Sequence, residues 1–106
     1  MEAPPSPVES KHPQIEALCR KHRVKRLELF GSAAAGRFDP NRSDLDFVVS
    51  FESIPPEELA DSYFGLLASL EDLFQVPIEL VTESSVSKNP YFREAVERSK
   101  TVVYGT

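Results

Sequence analysis

The chain has no tryptophan, one methionine, one cysteine and two histidines in 106 residues. The lone Cys19 excludes an internal disulfide and a cysteine metal framework, and it suits a reducing compartment. His12 and His22 are isolated, so they form no histidine metal site. Positive charge is also scarce: 12 Lys and Arg face 17 Asp and Glu, for a net charge of −5. That balance excludes field-driven binding of nucleic acid or anionic membrane, so any polyanion needs a local site or bound metal. No apolar run reaches the length of a membrane span, and the N-terminus lacks the basic-then-apolar order of a signal peptide. A cytoplasmic location is expected, with no membrane partner and no direct nucleic-acid binding. The length suits one compact domain without room for a second that would hold a large co-substrate.

Residues 1–11 hold three prolines and two serines with little apolar content, and are expected to form a flexible arm; residues 12–106 are expected to form a single domain. Pro13 suits the first turn of a helix, which then carries Ile15, Leu18, Cys19 and His22 on one face. Lys21, Arg23, Lys25 and Arg26 follow as a solvated helix end. Arg26 to Phe30 reads as a strand, Gly31-Ser32 as a turn and Ala33-Ala34-Ala35 as a short helical turn. A second strand is expected from Asp44 to Phe51, with Leu45, Phe47, Val49 and Phe51 on one face and Asp44, Asp46 and Val48 on the other. Pro55-Pro56, Glu57 and Glu58 open a long helix whose expected core face is Leu59, Tyr63, Phe64, Leu67, Leu70, Leu73 and Phe74. Val76 to Thr82 reads as a third strand, Ser84, Ser85 and Ser87 as a polar loop, and Asn89-Pro90 as the cap of a helix bearing Phe92, Ala95 and Val96. Thr101 to Tyr104 suits a short final strand. This alternation predicts a small mixed α/β sandwich.

The segment Leu29 to Val49, LFGSAAAGRFDPNRSDLDFVV, is the most informative. Asp44 and Asp46, spaced i, i+2 at the start of a strand, lie side by side on one face, where they repel each other unless a cation sits between them. The Gly31-Ser32 turn, with a strand behind and a helix start ahead, can offer backbone N–H groups and a hydroxyl to phosphate oxygens. A Gly-Ser turn alone is usually an ordinary turn. Together with the carboxylate pair it describes a site for metal-bound nucleoside triphosphate, because Mg²⁺ takes hard oxygen ligands from one or two carboxylates plus substrate phosphates. Two-metal sites need bridging carboxylates and commonly a further acid. Glu79, between Ile78 and Leu80, has that character; its other reading is a strand-edge acid facing solvent. Ser43 suits a role in orienting Asp44 or capping the turn. Tyr63, Tyr91 and Tyr104 read as core and surface packing rather than as modification acceptors.

Gly31, Ser32, Gly36, Ser43, Asp44 and Asp46 resemble the G-S-x3-G … S-D-x-D signature of the nucleotidyltransferase superfamily related to DNA polymerase β, and the chain is similar in size to its minimal nucleotidyltransferases. The resemblance runs from Pro13 to Tyr104. It implies an α/β (α+β) nucleotidyltransferase fold, a small mixed β-sheet flanked by helices. It also implies Mg²⁺, two ions, with ATP or another nucleoside triphosphate as substrate, and transfer of a nucleoside monophosphate to a hydroxyl. By the same resemblance Asp44, Asp46 and Glu79 are catalytic metal ligands, and Gly31, Ser32, Gly36, Arg37 and Ser43 bind nucleotide. Minimal nucleotidyltransferases are commonly paired with a HEPN-domain protein, acting as antitoxins that adenylylate a HEPN ribonuclease toxin, so the implied partner is a HEPN-domain protein.

Three departures from the family pattern bear on activity. Ala35 stands where arginine is common, which leaves the phosphate contact to Arg37 or Arg42. The loop between Ser32 and Asp44 is one residue longer than the commonest spacing, which a surface loop tolerates. Glu79 stands where aspartate is usual, and displacement of a catalytic group by about 1 Å can cost on the order of a hundredfold in rate. These departures keep open an alternative reading, a subunit weak in catalysis that binds nucleotide or only its partner and neutralises that partner by contact.

Overall fold

In the computed structural model, residues 7–30 and 45–105 are described. A helical turn α1 (Pro7–Ser10) leads to helix α2 (His12–Lys21), then strands β1 (Val24–Phe30) and β2 (Leu45–Phe51). Helix α3 (Pro56–Phe74), strand β3 (Ile78–Thr82), helices α4 (Glu83–Ser87) and α5 (Pro90–Ser99), and strand β4 (Thr101–Tyr104) complete the order. The strands form one sheet in the order β3-β2-β1-β4. The β1 pairings with β2 and β4 are antiparallel, whereas β2 and β3 are parallel and joined through α3. A parallel neighbour needs such a crossover, since no tight turn can return the chain to the same end of the sheet. This is the mixed sheet flanked by helices that the sequence predicts.

Strand alternation divides the side chains between two faces. Val24, Leu27, Leu29, Leu45, Phe47, Val49 and Leu80 join Ile15 and Cys19 of α2 and Leu66, Leu70 and Phe74 of α3 in the main core. Each fully buried leucine there contributes about 1.5–3 kcal/mol by leaving water. A bulge between Val24 and Arg26 lets both Val24 and Leu27 face this core despite their odd spacing. The opposite face is smaller: Phe30 and Val48 pack with Val86 of α4 and Val96 of α5, with Val81 and Phe92 at the margin.

Local chemistry sets the helix limits. In α3, Pro occupies the first turn and Glu57 and Glu58 face the positive end of the helix dipole, while Gln75 ends the helix in the left-handed conformation. Asn89 caps α5 by accepting from the Phe92 N–H at 3.1 Å, as expected.

Several expectations are corrected. The buried stripe of α3 is Leu66, Leu70 and Phe74, spaced by four, whereas Leu59 and Phe64 are 39% and 64% exposed. The helix is apolar around much of its circumference, and the sheet covers only one side. The serine-rich segment is helix α4, capped by the Thr82 hydroxyl accepting from Ser85 N–H at 3.3 Å and tied to β2 where Ser50 donates to the Glu83 carboxylate. Within the stretch read as an arm, Pro7–Ser10 are helical and Val8 is buried in the main core, so these residues belong to the fold. Ala95 is exposed. Arg23 and Arg26 are not simply solvated: Arg23 lies 3.5 Å from Glu58 and Arg26 3.6 Å from Glu28. Among the described residues, no helix is long and apolar enough to cross a membrane.

Candidate active site

The first residues of β2 and the first residues of β3 meet at one end of the sheet. In the parallel register Asp46 is the partner of Glu79, and in the antiparallel register it is the partner of Phe30, the last residue of β1. Neighbouring strands stand about 4.8 Å apart, so Asp46 and Glu79 are adjacent rungs. Alternation from Phe47 and Leu80, both in the main core, turns both acids to the other face, beside Phe30. Asp46 is half-buried and Glu79, on the edge strand, is exposed. The two readings of Glu79 are therefore compatible in the structure, since the acid faces solvent and is also in register with Asp46.

The floor beside this pair is apolar. Phe30 is 7% exposed and meets the Phe92 ring edge-on, with centroids 5.5 Å apart and planes at 80°. A low-polarity floor strengthens any charge interaction above it. Among the described residues, Arg26, Lys100 and Arg98 are each held by a carboxylate. Arg26 Nη2 and Lys100 Nζ each lie 3.6 Å from Glu28 Oε2, which is buried and lacks a hydrogen bond. A hydrogen bond to Glu97, reinforced by the charge of Glu28, raises the Lys100 pKa. Arg98 is held by Glu94 at 2.6 Å. Among the described residues Glu79 has no ion-pair partner. Two carboxylates in register, facing one side of a sheet, are a donor set for a hard divalent cation. Among the described residues, no group of three or more His, Cys, Asp or Glu is placed to hold a metal ion.

Of the other predicted site residues, Gly31, Ser32, Gly36, Arg37, Ser43 and Asp44 lie outside the described residues. Chain connectivity still constrains the region: residues 31–44 join Phe30 to Leu45, and those two flank Asp46 in register or in sequence. The histidines have other contacts. His12 donates from Nε2 to Val103 O at 3.0 Å, and the ring of His22 packs on α3, 3.3 Å from Ser69 Oγ and against Gly65. Burial, aided by the charge of Lys21, lowers the pKa of His22. Cys19 is buried in the core. Tyr63 donates to Leu80 O at 2.5 Å, whereas Tyr91 is 87% exposed.

Glu28 escaped the sequence reading. It sits on the face that carries Asp46, and its signal was the alternation of Arg26, Glu28 and Phe30 in β1. A groove of about 540 Å³, lined by Phe51, Leu59, Tyr63, Leu80 and Thr82 among others, opens at the other end of β2. It has no carboxylate in its walls and is separate from the Asp46–Glu79 corner.

The family model described as nucleotidyltransferase domain matches residues 13–103. No curated protein matches the chain. Among solved structures, a toxin–antitoxin with AMP-PNP is similar at a TM-score of 0.65 and 20% identity, covering 90% of this chain and 73% of that one. A protein described as a minimal nucleotidyltransferase is similar at a TM-score of 0.64 and 29% identity, covering 89% of this chain and 90% of that one. The tri-AMPylated Shewanella oneidensis HEPN toxin in complex with MNT antitoxin is similar at a TM-score of 0.62 and 18% identity, covering 93% and 73%. With the family model spanning both acids and strands β1 to β3 and reaching into β4, the chain belongs to the nucleotidyltransferase domain family.

Proposed function

We propose that the chain from Pro7 onward forms one nucleotidyltransferase domain that transfers a nucleoside monophosphate, AMP from ATP, to a hydroxyl on a HEPN-domain protein in the cytoplasm, and thereby acts as its antitoxin. The observation that carries the reading is the register of Asp46 with Glu79 beside the end of β1, the strand that leads into the Gly31-Ser32 segment. Asp44, Asp46 and Glu79 would hold Mg²⁺, and their oxygen donors suit it. When bound, Mg²⁺ neutralises phosphate charge and favours deprotonation of the attacking hydroxyl. Gly31, Ser32 and Gly36 hold the terminal phosphates through backbone N–H groups and the Ser32 hydroxyl. Arg37 supplies positive charge to them, and Ser43 orients Asp44. Glu79, which is exposed where Asp46 is half-buried, would favour deprotonation of the acceptor hydroxyl.

The protein-acceptor reading is supported by the likeness to toxin–antitoxin structures, one of them holding an AMPylated HEPN toxin. The test is transfer of label from α-phosphate-labelled ATP with Mg²⁺ to proteins in a lysate of the source cells, comparing wild type with Asp46→Asn. A labelled band of a HEPN-domain protein, present only with wild type, is expected. Equal labelling with both chains would refute the role of Asp46, and absence of label with retained nucleotide binding would favour neutralisation by contact.

A further inference from the structure

The first turn of α5 carries an aromatic ring that nothing in the described fold uses. Tyr91 is 87% exposed, the most exposed of the large apolar or aromatic side chains among the described residues. Its backbone is nevertheless fixed: Pro90 sets the start of the helix, Asn89 Oδ1 accepts from Phe92 N–H, and Asn89 O accepts from Arg93 N–H at 2.9 Å. The next residue, Phe92, packs on Phe30, and Phe30 is the strand partner of Asp46. One strand spacing, one ring contact and one residue along the helix therefore separate the acid corner from Tyr91. An extended nucleoside triphosphate spans such a gap from its phosphates to its base.

We propose that Tyr91 is the platform on which the base of the bound nucleotide stacks, a binding residue for the substrate of the proposed transfer; the inference rests on that reading. A flat ring on a fixed backbone offers stacking at low entropic cost. Stacking accepts any base, so this residue sets affinity more than nucleotide choice.

The test uses calorimetric titration of the full chain with Mg²⁺ and either AMP-PNP or tripolyphosphate, which has no base. Tyr91→Ala is expected to weaken AMP-PNP binding by about tenfold and leave tripolyphosphate binding unchanged, whereas Tyr91→Phe keeps both within about twofold. Tyr91→Trp, which adds the only tryptophan to the chain, is expected to lose fluorescence on AMP-PNP addition and not on tripolyphosphate. Wild type that binds AMP-PNP with an affinity equal to that of Tyr91→Ala overturns this inference alone. Wild type that binds neither probe overturns the nucleotide site itself. Loss of capture of the HEPN-domain protein by Tyr91→Ala, with AMP-PNP affinity intact, assigns the ring to the protein interface instead and equally overturns it.

Discussion

Replacing Glu79 with glutamine should raise stability in buffer and lower it, relative to wild type, in the presence of ligand. Glu79 is in register with Asp46 on the adjacent strand, which puts the two charges about 6 Å apart given the strand spacing and side-chain reach. Coulomb repulsion at that distance in water is about 0.7 kcal/mol, falling to roughly 0.3 kcal/mol at physiological salt. For a domain of this size that corresponds to a rise in Tm of about 1–4 °C on removal of one charge. If Glu79 ligates the nucleotide-bound metal, wild type at a ligand concentration one hundred times Kd gains about 2.7 kcal/mol, on the order of 10 °C. A variant that binds a hundredfold more weakly gains only about 0.4 kcal/mol under the same conditions. Thermal melts of both chains, with and without Mg²⁺ and AMP-PNP, should therefore cross in order. A variant that melts lower than wild type without ligand would make Glu79 a structural residue. A variant that gains as much from ligand as wild type would remove it from the metal site.

Two further outcomes follow from the packing. Gly105 has φ of +84°, and a Cβ there would stand 2.3 Å from Lys25 O, so Gly105→Ala should cost about 1–3 kcal/mol in urea unfolding by strain and by loosening β4 from β1; unchanged stability would show that the chain leaves β1 before residue 105. Burial, with Glu16 adding to it, pushes the Cys19 thiol up to about 12, so an aromatic disulfide reagent at pH 8 should react only at the rate of unfolding. The unfolded thiol loses its proton from about pH 8.5, where the native one keeps it, so this group's stabilising contribution is present below that pH and declines as pH rises towards 12. Cys19→Ala should flatten the decline between pH 8 and 10, and an equal slope in both chains would contradict the burial argument.

What was legible in the sequence was whatever short-range chemistry decides. The Asn89-Pro90 cap, the Pro-Glu-Glu start of α3 and the alternation of Leu45, Phe47, Val49 and Phe51 all appear as expected, because each depends on neighbours within one or two turns. The buried stripe of α3 was legible in part: Leu70 and Phe74 are buried and Tyr63, Leu67 and Leu73 pack on the core as expected, but the helix is apolar on several sides, and only the position of the sheet buries Leu66 and leaves Leu59 and Phe64 exposed. Helix α4 was hidden because serines favour turns and caps alike, and its tie to β2 through Ser50 and Glu83 is a contact across 33 residues. The candidate site was half legible. Asp46 announces itself by its spacing from Asp44, but its match with Glu79 depends on a parallel register set by the whole α3 crossover, which no local pattern encodes. Val8 shows the reverse error, since one apolar residue in a proline-rich stretch is enough to seat α1 in the core.

The pairing of β4 with β1 joins Leu27 to Tyr104 and Leu29 to Thr101 across more than seventy residues. During synthesis β1, β2 and β3 emerge first, and with them the rungs that bring Asp46 and Glu79 together. β1 then waits with one edge open until the last described strand arrives. Closing that long loop carries an entropic cost, and an open strand edge, with its unpaired backbone N–H and C=O groups, is what other chains can add to. A nascent chain of this protein therefore has its acid corner in register before it is protected from aggregation. A partner or chaperone that covers the β1 edge during that interval would act on yield rather than on activity.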